Sequence, residues 1–167
     1  VTSMSAAAYF FVREMYDLYQ VPVGIITACM GGIGMNQWMP EEQVQEMIKA
    51  GYMTSDASVT DPTKKHSAYY NGTVYPLHRM TVRGVIWYQG EGDHVNYAER
   101  FCAMITGWRK DFDNSEMKFV TIGMPRMTSS AEQYAKCRDE HKRACTMIDG
   151  LTYSSSVDTG LPLSEKF

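Results

Sequence analysis

Scarcities define this 167-residue chain before its motifs do. Positive charge is not in excess: 16 Lys and Arg against 19 Asp and Glu give a formal net charge of −3. That balance gives no electrostatic reason to expect nucleic acid or an anionic membrane as a partner. No apolar run is long enough to span a bilayer. No signal peptide is visible, and with Val1 rather than Met at the start that absence carries little weight. Cysteine is sparse, and Cys29, Cys102, Cys137 and Cys145 follow no metal-ligand spacing. Cys137 and Cys145 fall in one predicted helix, separated by about 12 Å along its axis, too far for a disulfide. The four are expected to be small buried side chains. There is no Walker-type phosphate loop, no Rossmann glycine fingerprint and no Gly-x-Ser-x-Gly elbow. Neither an internal repeat nor a low-complexity segment occurs. The remaining composition, 44% hydrophobic and 21% charged, is that of a globular domain, in a length suited to one substantial core.

Helical and strand periodicities alternate. Ala7, Phe11, Met15 and Leu18 recur at helical spacing and predict an amphipathic helix over about residues 4–19. Val21–Thr27 reads as a short buried strand. Pro40-Glu41-Glu42 is a good helix start, with proline in the first turn and acids at the positive end of the dipole, and that helix should end near Gly51. Residues 52–81 form a long, irregular, polar connection. A strand over Val82–Tyr88 follows, then a helix with the stripe Tyr97, Phe101, Met104, Ile105 and Trp108, for which Asn96 and Glu99 suggest a capping box. Lys118–Met124 reads as a strand. Ser129 and Ser130 begin a helix carrying Tyr134, Cys137, His141, Cys145 and Ile148 on one face, and Leu151–Val157 is the last strand. Strands alternating with helices imply a parallel sheet covered on both faces.

Chemistry concentrates at the end of the 82–88 strand. The run Val82-Arg83-Gly84-Val85-Ile86-Trp87-Tyr88 ends in Gln89-Gly90-Glu91-Gly92-Asp93, a place where open α/β sheets bind ligands. Gln89 offers amide donors, Glu91 and Asp93 offer carboxylates, and the glycines allow close backbone approach. Glu91, Asp93 and His94 together present a weak alternative, a divalent-cation cluster that lacks a fixed further ligand. Of the histidines, His141 falls on a buried helical stripe, His66 and His78 read as solvated loop residues, and only His94 adjoins the site loop. Asn71-Gly72-Thr73 is a formal glycosylation acceptor.

The same residues carry a family likeness. Arg83–Glu91, RGVIWYQGE, resembles the third conserved block of the carbohydrate esterases related to sialate O-acetylesterase, within the SGNH-hydrolase superfamily. Val21–Trp38, VPVGIITACMGGIGMNQW, is similar to that family's second block, a strand running into a Gly-Gly turn and then a tryptophan. Tyr70-Asn71-Gly72 with Pro76-Leu77, Gly107-Trp108-Arg109 and Val157-Asp158-Thr159-Gly160 resemble smaller family segments in the same order. The resemblance implies an α/β three-layer sandwich with a parallel, flavodoxin-like sheet, residues 1–167 being part of a single esterase domain incomplete at both ends. It implies a serine esterase that removes O-acetyl groups from sugars or glycans. Gln89 and the backbone of Gly31 or Gly32 would supply oxyanion donors supported by Glu91, and Trp38, Asn71 and Asp93 would contact substrate. Trp38 and Tyr70 are aromatic candidates for stacking on a sugar ring, with packing as the competing reading for each, and tying down its own loop is the competing reading for Glu91.

The family's Gly-Gln-Ser-Asn nucleophile block has no counterpart here; Thr2-Ser3-Met4-Ser5 precedes a helix, and Ser5-Ala6-Ala7 resembles a later segment. The family's histidine segment would follow Val157–Gly160. The serine and histidine are thus expected outside these residues. No cofactor or metal is implied, no nucleic-acid or membrane partner, and no particular oligomeric state. A secreted, periplasmic or lysosomal setting is implied by resemblance alone. The alternatives are a carbohydrate-binding remnant of an esterase domain and an acetyl xylan esterase.

Overall fold

The structure, a computed structural model, describes residues 5–159; Thr2–Met4 and Gly160 lie outside the described residues. The chain divides into two compact units, Val1–Gly32 and Ile33–Phe167.

The first unit carries α1, Ala6–Tyr19. The Ser5 hydroxyl accepts from the Ala8 N–H, and Gln20, in the left-handed region at φ 54°, closes the C-terminus by donating its N–H to the Tyr16 carbonyl. No residue of α1 is buried, and Phe11 and Leu18 of the expected apolar stripe stand exposed. Val21–Thr27 does not form the expected strand. A strand exists only where a neighbour completes its ladder, and no described residue makes a backbone bond to this run. Beyond it the chain turns at Gly31-Gly32, where Gly32 takes φ +75°, a conformation that suits glycine.

The second unit begins with a 3-10 turn, Met35–Trp38, and α2, Glu41–Lys49, whose first turn holds Glu41 and Glu42 as expected from sequence. Residues 52–81 are irregular apart from 3-10 turns at Pro62–Lys64 and Tyr75–Leu77 and a π-helical turn at Tyr70–Val74. The sheet follows: β1 (Gly84–Trp87), α3 (Tyr97–Asp111), β2 (Lys118–Ile122), α4 (Ala131–Met147) and β3 (Leu151–Ser154). All three strands are parallel in the order β1-β2-β3, each shorter than its apolar run suggests.

The register pairs Val85 with Phe119 and Leu151, and Trp87 with Thr121 and Tyr153, so these residues share a face. Both crossover helices lie on it. Trp87 packs on Phe101 of α3 at 5.7 Å between centroids, Trp108 on Phe119 at 6.1 Å, and Thr121 meets His141 of α4. Strands added in one direction with right-handed crossovers place successive helices on the same side. The core of this unit therefore sits between that face and α3, with Tyr97, Phe101, Met104, Ile105 and Phe119 fully enclosed. Ile86, pointing to the other face, is 45% exposed.

The expected helix caps are not used. Asn96 makes no side-chain cap; its amide donates to the Tyr52 carbonyl instead. The Glu99 carboxylate is taken by the Arg143 guanidinium through two hydrogen bonds of 2.8 and 2.6 Å. A bidentate charge-assisted pair outcompetes a single bond to a backbone N–H. Ser130 likewise makes no side-chain cap at the start of α4.

Candidate functional site at the end of strand β1

Past Trp87 the backbone is held from beneath. The Trp87 indole N–H donates to the Tyr97 hydroxyl (2.9 Å), which donates to the Gln89 carbonyl (3.0 Å). Gly90 is buried at φ +132°. A Cβ there would run into the Cys137 sulfur, with His141 Nε2 at 3.4 Å and the Tyr97 ring at 3.5 Å already in contact. Glycine is thus required twice, by conformation and by space.

The loop is then tied to its surroundings. The Glu91 side chain is exposed and accepts the Gly90 N–H (3.2 Å), the self-tying arrangement weighed for it from sequence. The Gln133 amide donates to the Glu91 carbonyl at 2.6 Å. Asp93 accepts two bonds from Arg100, one of them at 3.2 Å, and one from the Met35 N–H at 3.4 Å. Arg100 is 7% exposed and also donates to the Val95 and Asn96 carbonyls. A buried guanidinium needs such a full set of acceptors, because leaving its charge unpaired away from water is costly.

Gln89 differs from everything around it. Its Oε1 is buried without a hydrogen-bond partner, and His94 Nδ1 is the second such atom among the described residues. An orphaned buried polar atom costs on the order of 1–3 kcal/mol, and native structures carry few of them. Gln89 lies in the segment singled out from sequence, and His94 directly follows it. His94 also lines an open depression of about 510 Å³ with Thr128, Ser129, Ser130, Glu132, Gln133 and Lys136.

Within the second unit, two other predicted site residues have different surroundings. Trp38 is 5% exposed within an aromatic cluster, 5.5 Å from Tyr69 and 6.4 Å from Trp87, and its surroundings are those of a packing residue. Asn71 is exposed, but neighbouring Tyr70 is hydrogen-bonded to Asp111 at the C-terminal end of α3, whereas Gln89 faces Tyr97 at its N-terminal end. Gly31 and Gly32 belong to the first unit. Tyr88 escaped the sequence reading: it is 53% exposed and directly before Gln89, and partial burial of its ring, with the nearby Glu91 charge as the smaller cause, raises its phenol pKa. Its signal was the alternation of the strand, which turns Trp87 inward and Tyr88 outward.

No three His, Cys, Asp or Glu side chains among the described residues are grouped to hold a metal ion, Asp93 being spent on Arg100. His141 is enclosed as expected, with Thr121 Oγ1 at 3.2 Å and Cys137 Sγ at 3.5 Å. Burial pulls its pKa down to about 4, against a weaker opposing pull from the Gln89 backbone and Glu140. Burial pushes the Cys137 thiol up to about 12, so it is no thiolate nucleophile. The other cysteines depart from the expectation: Cys102 and Cys145 are half-buried and Cys29 is exposed, since only Cys137 points fully into the core. His66 is not a free surface residue either; its ring nitrogens meet the Asn36 amide at 2.6 Å and the Thr54 carbonyl at 2.9 Å.

Comparison with known proteins agrees with this architecture. The family model described as carbohydrate esterase, sialic acid-specific acetylesterase, matches residues 3–164. The human sialate O-acetylesterase is 34% identical over 137 residues, covering 75% of this chain and 26% of that protein. The rat sialate O-acetylesterase is 32% identical over 163 residues, covering 77% of this chain and 30% of its own length. The crystal structure of a carbohydrate acetylesterase from Xanthomonas citri superimposes with a TM-score of 0.77 at 25% identity, over 95% of this chain and 36% of that one. The fold is therefore the α/β, parallel-sheet type of the SGNH hydrolases. The chain belongs to the sialic acid-specific acetylesterase family of carbohydrate esterases. It spans between a quarter and a third of the length of the curated relatives it matches.

Proposed function

We propose that these residues are part of a single esterase domain that removes O-acetyl groups from sugars or glycans. The observation that carries the reading is the placement of the Gln89 side-chain amide, an N–H donor that stands just past the end of β1 with its backbone carbonyl held by Tyr97 and its glycine neighbour packed tight. In this reaction a serine Oγ attacks the acetyl carbonyl while a histidine takes its proton. The tetrahedral oxyanion then collapses, expelling the sugar alcohol with that proton, and water releases acetate from the acetyl-serine. Gln89 Nε2–H donates to the oxyanion, and the reading assigns a second donor to the backbone N–H of Gly31 or Gly32. Glu91 supports the Gly90 backbone next to it. The serine and histidine come from segments beyond these residues, consistent with the greater length of the relatives.

Asn71 keeps an exposed amide for a sugar hydroxyl, while Trp38 and Asp93 serve substrate from behind, as packing and as a loop anchor. The sugar ring finds its exposed aromatic surface in Tyr88. No helix among the described residues is long and apolar enough to cross a membrane. The family likeness favours a secreted, periplasmic or lysosomal setting.

A serine-reactive fluorophosphonate applied to the full-length protein tests the reading, with acetate release from an acetylated sialic acid and an acetylated xylan as the second measurement. One adduct with acetate release supports the esterase. Absence of both leaves the carbohydrate-binding remnant, and preference for xylan makes it an acetyl xylan esterase.

A further inference from the structure

We infer that Tyr97 is a positioning residue for the Gln89 amide, acting through the backbone at the end of β1; this rests on the oxyanion role proposed for Gln89. The side-chain oxygen of Gln89 has no partner, so its aim is not set by a contact at its own tip. It is set by the peptide plane from which the side chain departs. That plane is held on its carbonyl side by the Tyr97 hydroxyl, which donates to the Gln89 carbonyl at 3.0 Å and accepts the Trp87 indole N–H at 2.9 Å, and on its N–H side by the Gly90 bond to the exposed Glu91 carboxylate. The same ring forms one wall of the cup around Gly90, with Cε2 at 3.5 Å from where a Cβ would stand. One side chain therefore holds residues 87, 89 and 90 together.

The ring itself has little freedom. Tyr97 is fully enclosed, packed at 4.7 Å on His141 and 5.7 Å on Phe101. Burial keeps its phenol protonated, so the hydroxyl remains a donor to the carbonyl. One turn further along α3, Arg100 holds the far end of the loop through Asp93 and the Val95 carbonyl. Replacing Tyr97 by Phe keeps the packing and removes only the hydroxyl, leaving the Gly90 N–H bond to Glu91 as the side-chain hold on the peptide after Gln89, which is then more easily misaligned.

The test is a double-mutant cycle in the full-length protein, with kcat and KM measured on an aryl acetate well below the lowest Tm of the set. Tyr97→Phe is expected to lower kcat roughly 10- to 100-fold with KM nearly unchanged, the scale of a misplaced reacting group. In a Gln89→Ala background the same substitution is expected to cost nothing further, because there is no amide left to aim. An equal loss in both backgrounds, or no loss in either, overturns the positioning role. Trp87→Phe, which removes the upstream donor, is the second variant: a smaller loss that also vanishes without Gln89 supports the role, and an uncoupled one overturns it. The two failures read differently. A Gln89→Ala enzyme with wild-type kcat removes the oxyanion role and this inference with it, whereas a Gln89-dependent enzyme with additive Tyr97→Phe removes Tyr97 alone.

Discussion

Helix α3 grips the chain at both ends, but in two different ways. At its C-terminal end the Trp108 indole donates to the Trp38 carbonyl at 2.9 Å, and Arg109 donates to the Met117 and Asp149 carbonyls at 2.7–3.0 Å. Tyr70 closes on Asp111 in the same region. At its N-terminal end Tyr97 and Arg100 hold the Gln89–Asp93 loop just as firmly, yet the two orphaned atoms, Gln89 Oε1 and His94 Nδ1, belong to this end. A scaffold satisfies its own polar groups, whereas a site leaves some unanswered for a ligand. The contrast separates stability from chemistry along one helix.

The sharpest way to break the comparison is at Trp108, which is buried against Phe119 and Tyr70. Trp108→Ala is expected to cost about 3–5 kcal/mol of stability, read as a shift of the urea midpoint, with kcat preserved at temperatures where the variant is folded. A fall in kcat without a stability loss would mean that the scaffold end also serves chemistry.

Gln89→Ala should do the reverse. Loss of an oxyanion donor is expected to lower kcat about 10²–10³-fold with KM and Tm nearly unchanged. Equal kcat would take Gln89 out of the mechanism.

Acid should weaken the site end through His141. Its pKa is about 4 in the fold against 6.5 for a free imidazole. Between those values the unfolded chain binds more protons, so its contribution to stability is whole above pH 6.5 and is lost as the pH falls through 4. The sum is about 3 kcal/mol, and His141→Gln should flatten the dependence of the urea midpoint on pH over that window. An unchanged slope would show that His141 is not enclosed as described.

The smallest effect is expected at Tyr70, whose hydroxyl donates to Asp111. Tyr70→Phe should cost about 1–2 kcal/mol by thermal melting and leave both kinetic constants alone. A rise in KM for a glycan, with none for an aryl acetate, would bring the 70–74 turn and exposed Asn71 into substrate contact.

The alternation of β1, α3, β2, α4 and β3 was visible in the sequence because each element has a side facing one core, and burial imposes the period of the element on its apolar residues. Val21–Thr27 misled for the same reason: an apolar run announces burial, but strand pairing depends on a neighbour that the run does not encode. Asn96 and Glu99 had the spacing of a capping box, yet Arg143, distant in sequence, took the carboxylate. For Trp38 the sequence left sugar contact and packing side by side, and for Asp93 it offered sugar contact. In the fold Trp38 packs beside Trp87 and Asp93 pairs with Arg100, neither partner being adjacent in sequence.

By itself the sequence determined the α/β class, the position of the site loop after an apolar strand, and the residue types available there, since these follow from local periodicity and side-chain chemistry. Only the tertiary structure decided which of those side chains remain unpartnered. That outcome depends on long-range pairing, in which Arg100 and Tyr97 hold Asp93 and the Gln89 backbone and leave the Gln89 side-chain oxygen without a partner.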